Sequence, residues 1–279
     1  MKTKMIMLIV TVVFVMVNVQ AGAQEKFSLS YKMGKGKTYR YMQGSIVETI
    51  QEMGGQEMKM NTDTHSHLKY EIDSVSADGT MSLVYSFEDV SFHMKGMGRD
   101  TTMDMKDKEN KPVRGKLTAL GKLTKEPSHD TAKPGKSSFS IGSLGSVNFT
   151  RLPDHQVCIG EKWSRVSTDT TEVGEGQIVY KKNIEYSFTG KEKRGSHDCV
   201  KIEFKGSMEI TGKMKQMGMD LAMEGSGDTS GTIWFDAPLG LLIEEVDNNN
   251  VDMTMALTGQ QQMTIPITQK MTTTQSLIE

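Results

Sequence analysis

The chain has 279 residues and a formal net charge of −2, with 24% charged, 36% hydrophobic and only 6% aromatic residues. The charges are interspersed and no lysine or arginine cluster occurs, so the basic stripe that a nucleic-acid partner requires is missing. Methionine is the unusual quantity: there are 23, of which Met1, Met5, Met7 and Met16 fall in the first 23 positions.

The N-terminus reads as a secretory signal. Lys2 and Lys4 precede an apolar run, Met5 to Val17, broken only by Thr11, and Ala21-Gly22-Ala23 follows. A basic start, an apolar core and a small-x-small site predict export with cleavage after Ala23, to the periplasm or the outside of the cell. The apolar run is shorter than the ~20 residues that cross a bilayer, so no membrane span is expected after cleavage. With no cysteine near the site, no lipid anchor is expected either.

Beyond the signal, apolar residues recur at every second position. Between 57 and 75, Met58, Met60, Leu68, Tyr70 and Ile72 alternate with charged neighbours, which predicts a long strand with one charged face. Asp78-Gly79 predicts a hairpin turn into a return strand over 80–94. There Met81, Leu83, Tyr85 and Phe87 share one parity, and Val90, Phe92 and Met94 share the other. A slip of one residue at Glu88-Asp89 predicts a β-bulge.

Residues 106–138 are rich in Lys, Gly and Pro and read as a surface hairpin followed by a flexible crossing. Further strands are predicted at 199–211, at 214–224 after a second slip near Lys215, and at 251–271 with a turn near Gly259. Pro266 lacks an N–H, so it is expected at an edge or facing outward. The fold class is therefore all-β and mainly antiparallel. Long curved sheets are expected in two similar halves, 24–150 and 151–279, as a half-barrel or sandwich with little helix.

The halves share a step. Gly36-Lys37-Thr38-Tyr39 and Gly160-Glu161-Lys162-Trp163 each precede strands, one containing Tyr70 and the other Tyr186. The run Leu152-Pro153 to Val157, continuing to Gly160 and Trp163, resembles a family of exported bacterial β-proteins of unknown function. Gly231-Thr232-Ile233-Trp234-Phe235-Asp236 with Leu239-Gly240-Leu241 fits the same resemblance. More distantly the plan is similar to periplasmic lipoprotein-carrier (LolA/LolB-like) half-barrels, a likeness of fold that does not carry function.

Cys158 and Cys199 are the only cysteines, and in an oxidising compartment they are expected to form a disulfide. His155 and His197 lie close to them in sequence, but the spacing is not that of a zinc site. His65 and His67 read as surface residues of a charged strand face. Ser143 in Ile-Gly-Ser-Leu-Gly lacks the strand-turn-helix setting of a nucleophile elbow, and Asn148-Phe149-Thr150 is a sequon only in a eukaryotic secretory pathway. No catalytic set emerges, and no cofactor or metal is expected.

Met58, Met60, Met217, Met219, Met253 and Met255 fall on the apolar side of their strands. They read as plain core, as an adaptable apolar site, or as soft ligands for copper(I). The function this favours is a non-enzymatic exported binding protein with a Met-lined concave face. Its partner would be a hydrophobic small molecule or a lipidated protein, without nucleic acid. The alternative is a structural or assembly component of the cell envelope.

Overall fold

The computed structural model describes residues 25–105, 112–126, 149–172, 176–216, 219–258 and 262–278. Period-2 alternation carries nearly all of them into strands, and no helix occurs among the described residues. In chain order these are β1 (Lys26–Phe27), β2 (Thr38–Met53), β3 (Gln56–Val75), β4 (Met81–Gly96), β5 (Arg99–Met105), β6 (Val113–Leu117) and β7 (Leu123–Lys125). They continue as β8 (Val157–Cys158), β9 (Lys162–Glu172), β10 (Gln177–Arg194), β11 (His197–Gln216), β12 (Met219–Asp236), β13 (Leu241–Thr258) and β14 (Met263–Leu277).

Twelve strands form one antiparallel sheet in the order β7-β6-β4-β3-β2-β14-β13-β12-β11-β10-β9, with β5 beside β4. Neighbours in the sheet are neighbours in the chain, except where β6 pairs β4 past β5 and where the last strand pairs the second, as in Ile267 with Gln51 and Leu277 with Tyr41. β7 and β9 end the order unpaired with each other, so the sheet curls without closing into a barrel. Residues 24–150 and 151–279 therefore supply adjacent blocks of a single sheet.

Most of the predicted elements take these places. The slip at Glu88-Asp89 is a bulge: the register shifts between His65 and His67, and Asp89 has a φ of 49°. The second slip is instead a hairpin, since Gln216 pairs Met219 and the strand expected at 214–224 belongs to both β11 and β12. Pairing of Gln216 with Met219 exchanges the inward and outward parities as a bulge does, so the pattern alone does not separate them. The hairpin predicted within 106–138 is β6 paired with β7, though it is not wholly at the surface. Residues 112–126 hold β6 and β7, and Leu117 is fully buried. The rest of 106–138, the signal, Ser143 and Asn148 lie outside the described residues. Pro266 pairs Thr254 of β13, while the pairing of β14 with β2 begins only at Ile267, so its missing N–H falls on a local edge.

The Gly-x-x-aromatic step is repeated in three dimensions. The Gly36 N–H donates to Ile72 O at 2.8 Å, Ile72 N–H returns to Lys37 O at 3.0 Å, and Lys37 N–H donates to Gly34 O at 3.1 Å. Gly160 to Phe188 O, Phe188 to Glu161 O and Glu161 to Cys158 O repeat these bonds at 2.8, 3.0 and 3.0 Å. Tyr39 then pairs Tyr70, and Trp163 pairs Tyr186.

The segments leading into the two steps cross over. Lys32 N–H donates to Gly240 O, and Leu152 N–H donates to Leu120 O. The lead-in of each block thus lies under the Leu-Gly turn of the other. Both turns need glycine: a Cβ at Gly240 would sit 2.6 Å from Ser30 O, one at Gly121 would sit 2.4 Å from Thr150 O, and φ is 69° and 87°. The short β1–β8 pair joins the same two lead-ins.

Candidate functional site

Register divides the inner face of the sheet into three zones along its strands. The first is an aromatic core shared by both blocks, holding Tyr41, Tyr70, Tyr85, Phe149, Phe188 and Phe235 among its buried residues. Tyr70 lies against Phe149 with ring centroids 5.0 Å apart, and Trp163 stacks on Tyr186 at 5.5 Å. The buried Tyr41 hydroxyl donates to Leu242 O at 3.0 Å.

The second zone is polar, although it faces inward. A bulge between Trp234 and Phe235 resets β13, so that Ile243 packs outside with Trp234 while Glu245, Asp247 and Asn249 point inside. Across the sheet they are matched by Gln275, Thr273 and Met271 on β14, and by Ile233, Gly231 and Thr229 on β12. Glycine allows a sharp bend here, since a Cβ at Gly231 would meet Val246 O at 2.1 Å and one at Gly227 would meet Asn250 O at 2.1 Å.

Glu245 accepts a hydrogen bond from Thr150 Oγ1 at 2.8 Å, and the Tyr31 hydroxyl donates to the carbonyl of the same Thr150 at 3.2 Å. Thr229 Oγ1 donates to Asp247 Oδ1 at 3.0 Å. Burial raises the Glu245 pKa to about 7, with Asp247 adding to the rise and Thr150 and Lys182 opposing it. Its side chain nevertheless keeps part of its surface accessible, as does that of Asp247. Among the described residues, the buried Tyr70 hydroxyl and Asn249 Oδ1 have no hydrogen-bond partner. Unpaired buried polar atoms of this kind cost about 1–3 kcal/mol each unless something fills the site.

The third zone is apolar. Met208, Ile210 and Val251 form a buried cluster with Ile178, Tyr180, Met223 and Met253 against it. All of these come from β10 to β13, so the cluster sits on one sheet layer. The row Ile210, Gly225, Met253, Ile267, Gln51, Met58 continues it across the sheet, and Met208, Gly227, Val251, Gln269, Thr49, Met60 runs beside it. Met58, Met60, Met253 and Met255 thus share the inner face and are half-buried. Met253 and Met58 are held apart by Ile267 and Gln51. Met219 begins β12, Met217 lies outside the described residues, and Met208 and Met223 of the cluster were not among the six expected lining methionines.

A depression of about 580 Å³ lies on the opposite face, lined by Glu209, Thr211, Glu224, Ser226, Asp252 and Thr254 among others. It is open and mixed in character, since Met253, Pro266 and Ile267 also contribute to its lining.

The expected disulfide is absent: Cys158 and Cys199 are both free. Val200 enters the aromatic core, so its neighbour Cys199 points to the other side of the sheet and packs with Trp234 and Ile243. Cys158 instead donates from Sγ to Glu161 Oε2 at 3.4 Å. Burial pushes the Cys199 thiol up to about 11, and burial with Glu161 raises Cys158. Neither is an activated nucleophile. His155 bonds Asp154 and Glu161, His197 bonds Asp236 at 2.9 Å, and His65 and His67 face Asp63 and Asp89.

No family model matches this chain, and no curated protein matches it. Among solved structures, an outer membrane channel from Pseudomonas putida F1 is similar at a TM-score of 0.25 and 8% identity, over 88% of this chain and 97% of that one. An exported protein with a YmcC-like fold from Bacteroides fragilis NCTC 9343 is similar at a TM-score of 0.22 and 7% identity, over 86% and 97%. Scores of this size transfer no function. Neither the exported family suggested by the Gly-x-x-aromatic steps nor the lipoprotein-carrier half-barrels is shown by these likenesses.

Proposed function

We propose that this chain is an exported, non-enzymatic binding protein that holds an apolar ligand, such as a lipid acyl chain, on the methionine zone of its inner face. The observation that carries this reading is the single-layered cluster of Met208, Ile210 and Val251, flanked by half-buried Met223 and Met253. In the aromatic core both blocks contribute to one packed cluster, whereas here only neighbouring strands β10 to β13 do. Thioether side chains suit such a surface because they are flexible and polarizable and adapt to varied apolar shapes. Export rests on the order of charge, apolar run and small residues at the N-terminus.

The test is uptake of N-phenyl-1-naphthylamine by purified protein 24–279, with decanol as competitor and native mass spectrometry for co-purified lipid. The wild type is expected to enhance the dye's fluorescence and lose it to decanol. Met253→Asp should abolish uptake, while Thr254→Asp, on the opposite face, should leave it intact. A wild type that takes up neither dye nor lipid overturns the reading and leaves the envelope structural component, with its methionines as core alone. Equal loss in both variants also overturns it.

A further inference from the structure

The sheet ends in a strand that is unlike an ordinary edge. β9 closes the order with 11 residues, Lys162–Glu172, whereas β7 at the other end has 3. Its ladder to β10 runs from Lys162 with Ser187 to Glu172 with Gln177 without a register shift, and it holds neither proline nor glycine. Natural edges are shortened, bulged or blocked with proline, because an open row of N–H and C=O groups templates another strand. Among the described residues, no backbone hydrogen bond outside the β10 ladder reaches residues 162–172. Val166 of this strand is 65% exposed, the most exposed large apolar side chain among the described residues.

The charges of β9 form a palindrome about Ser167. Lys162 and Arg165 lie five and two positions before it, and Asp169 and Glu172 lie two and five positions after it. In an antiparallel pair with a second copy centred on Ser167, Lys162 stands opposite Glu172 of the copy and Arg165 stands opposite its Asp169. Each pair occurs twice by symmetry. The faces match as well: Arg165 and Asp169 have the inner parity of Trp163, which pairs Tyr186, while Lys162, Val166, Thr168 and Glu172 have the outer parity. Val166 meets Thr168 of the copy, a β-branched pair of the kind that stabilises strand contacts. An axis moved to Val166 or Thr168 sets none of the four charges against an opposite one. An axis at Arg165 or Asp169 sets that charge against itself.

The four side chains are free to make these contacts. Among the described residues, their only ion pair is that of Lys162 with the exposed Glu185 at 3.1 Å, worth little in water. Arg165 donates one N–H to Leu152 O at 3.1 Å and keeps the rest of its guanidinium donors.

We infer that β9 is a self-association edge, which joins two copies of this chain into one continuous sheet about a two-fold axis at Ser167. That axis stands perpendicular to the sheet, so the two inner faces continue across the junction on the same side. The pairing is independent of what the methionine zones bind. A single strand contact of this length is smaller than a standard interface, so the dimer should dissociate in the range of roughly 1–100 µM.

The test is sedimentation velocity of protein 24–279 across that range, with cross-linking at position 167. The wild type should pass from monomer to dimer as concentration rises. Asp169→Arg with Glu172→Lys makes all four positions basic, and Lys162→Glu with Arg165→Asp makes all four acidic. Each double variant should stay monomeric, and their equimolar mixture should restore a 1:1 dimer at least as tight as that of the wild type. Ser167→Cys, about 5 Å from its counterpart across the axis, should give a disulfide-linked dimer whose 167–167 peptide is found by mass spectrometry. Thr171→Cys, about 26 Å from its counterpart, should not. The basic variant changes only exposed side chains, so with Ser167→Cys it decides the matter even if the acidic variant misfolds. A wild type that stays monomeric throughout overturns the inference. So does a dimer that survives the basic variant, or one that forms without a 167–167 link.

Discussion

Replacing Glu245 by Gln removes a carboxyl whose neutral form the fold favours, and the structure sets the size and sign of the effect. Burial raises its pKa from an ordinary 4.5 to about 7. A carboxyl that is harder to ionise when folded stabilises the fold at low pH, and this contribution is lost as pH rises through about 7. The interval corresponds to about 3 kcal/mol. Glutamine does not titrate, and its carbonyl can still accept from Thr150. The stability of Glu245→Gln minus that of the wild type should therefore climb by about 3 kcal/mol between pH 4.5 and pH 8. Urea unfolding at a series of pH values, followed by the fluorescence of Trp163 and Trp234, measures it. A difference that stays flat with pH would refute the idea that this carboxyl is desolvated in the folded chain.

Further outcomes follow from individual contacts. Titration of the denatured protein with Ellman's reagent, without reductant, should find two thiols per chain; none would restore the disulfide. Tyr41→Phe removes the buried hydrogen bond to Leu242 O and should cost about 1 kcal/mol in thermal or urea unfolding. Tyr70→Phe removes a hydroxyl with no protein partner and should cost almost nothing, so equal losses would contradict the hydrogen-bond assignment. Gly240→Ala places a Cβ against Ser30 O and should destabilise by about 2–4 kcal/mol, with Gly195→Ala, in an open hairpin turn, as the milder control.

The sequence spoke clearly where one strand face is apolar and the other charged, as in β3 and β4. It was silent for residues 241–250, because the inner face there carries Glu245, Asp247 and Asn249, and alternation of polar with polar leaves no period. Pairing of β14 with β2 joins residues more than two hundred positions apart and has no local signature. The candidate site divided in the same way. Methionines on strand parities 58, 60, 253 and 255 were legible as an inner face, whereas Met208, which packs beside Met253, was not among them. The thiols misled because compartment and even number favour a bridge, whereas parity about Val200 sends Cys199 to the far side of the sheet.

The pairing of the second strand with the last has a consequence for how the chain reaches this state. As synthesis proceeds, β2 through β7 can zip together by hairpins, but the open side of β2 has no partner until β14 arrives. The lead-in under Gly240 waits equally long, for the turn that holds it belongs to the later block. The first half thus carries a bare strand edge and uncovered aromatic rings for most of the time the chain is being made, a state prone to pairing with other chains. Completion depends on contacts of great sequence separation, which makes folding slow. A chain shortened by its final fifteen or so residues would lose more than one strand: it would leave two sheet blocks with facing raw edges and no junction between them.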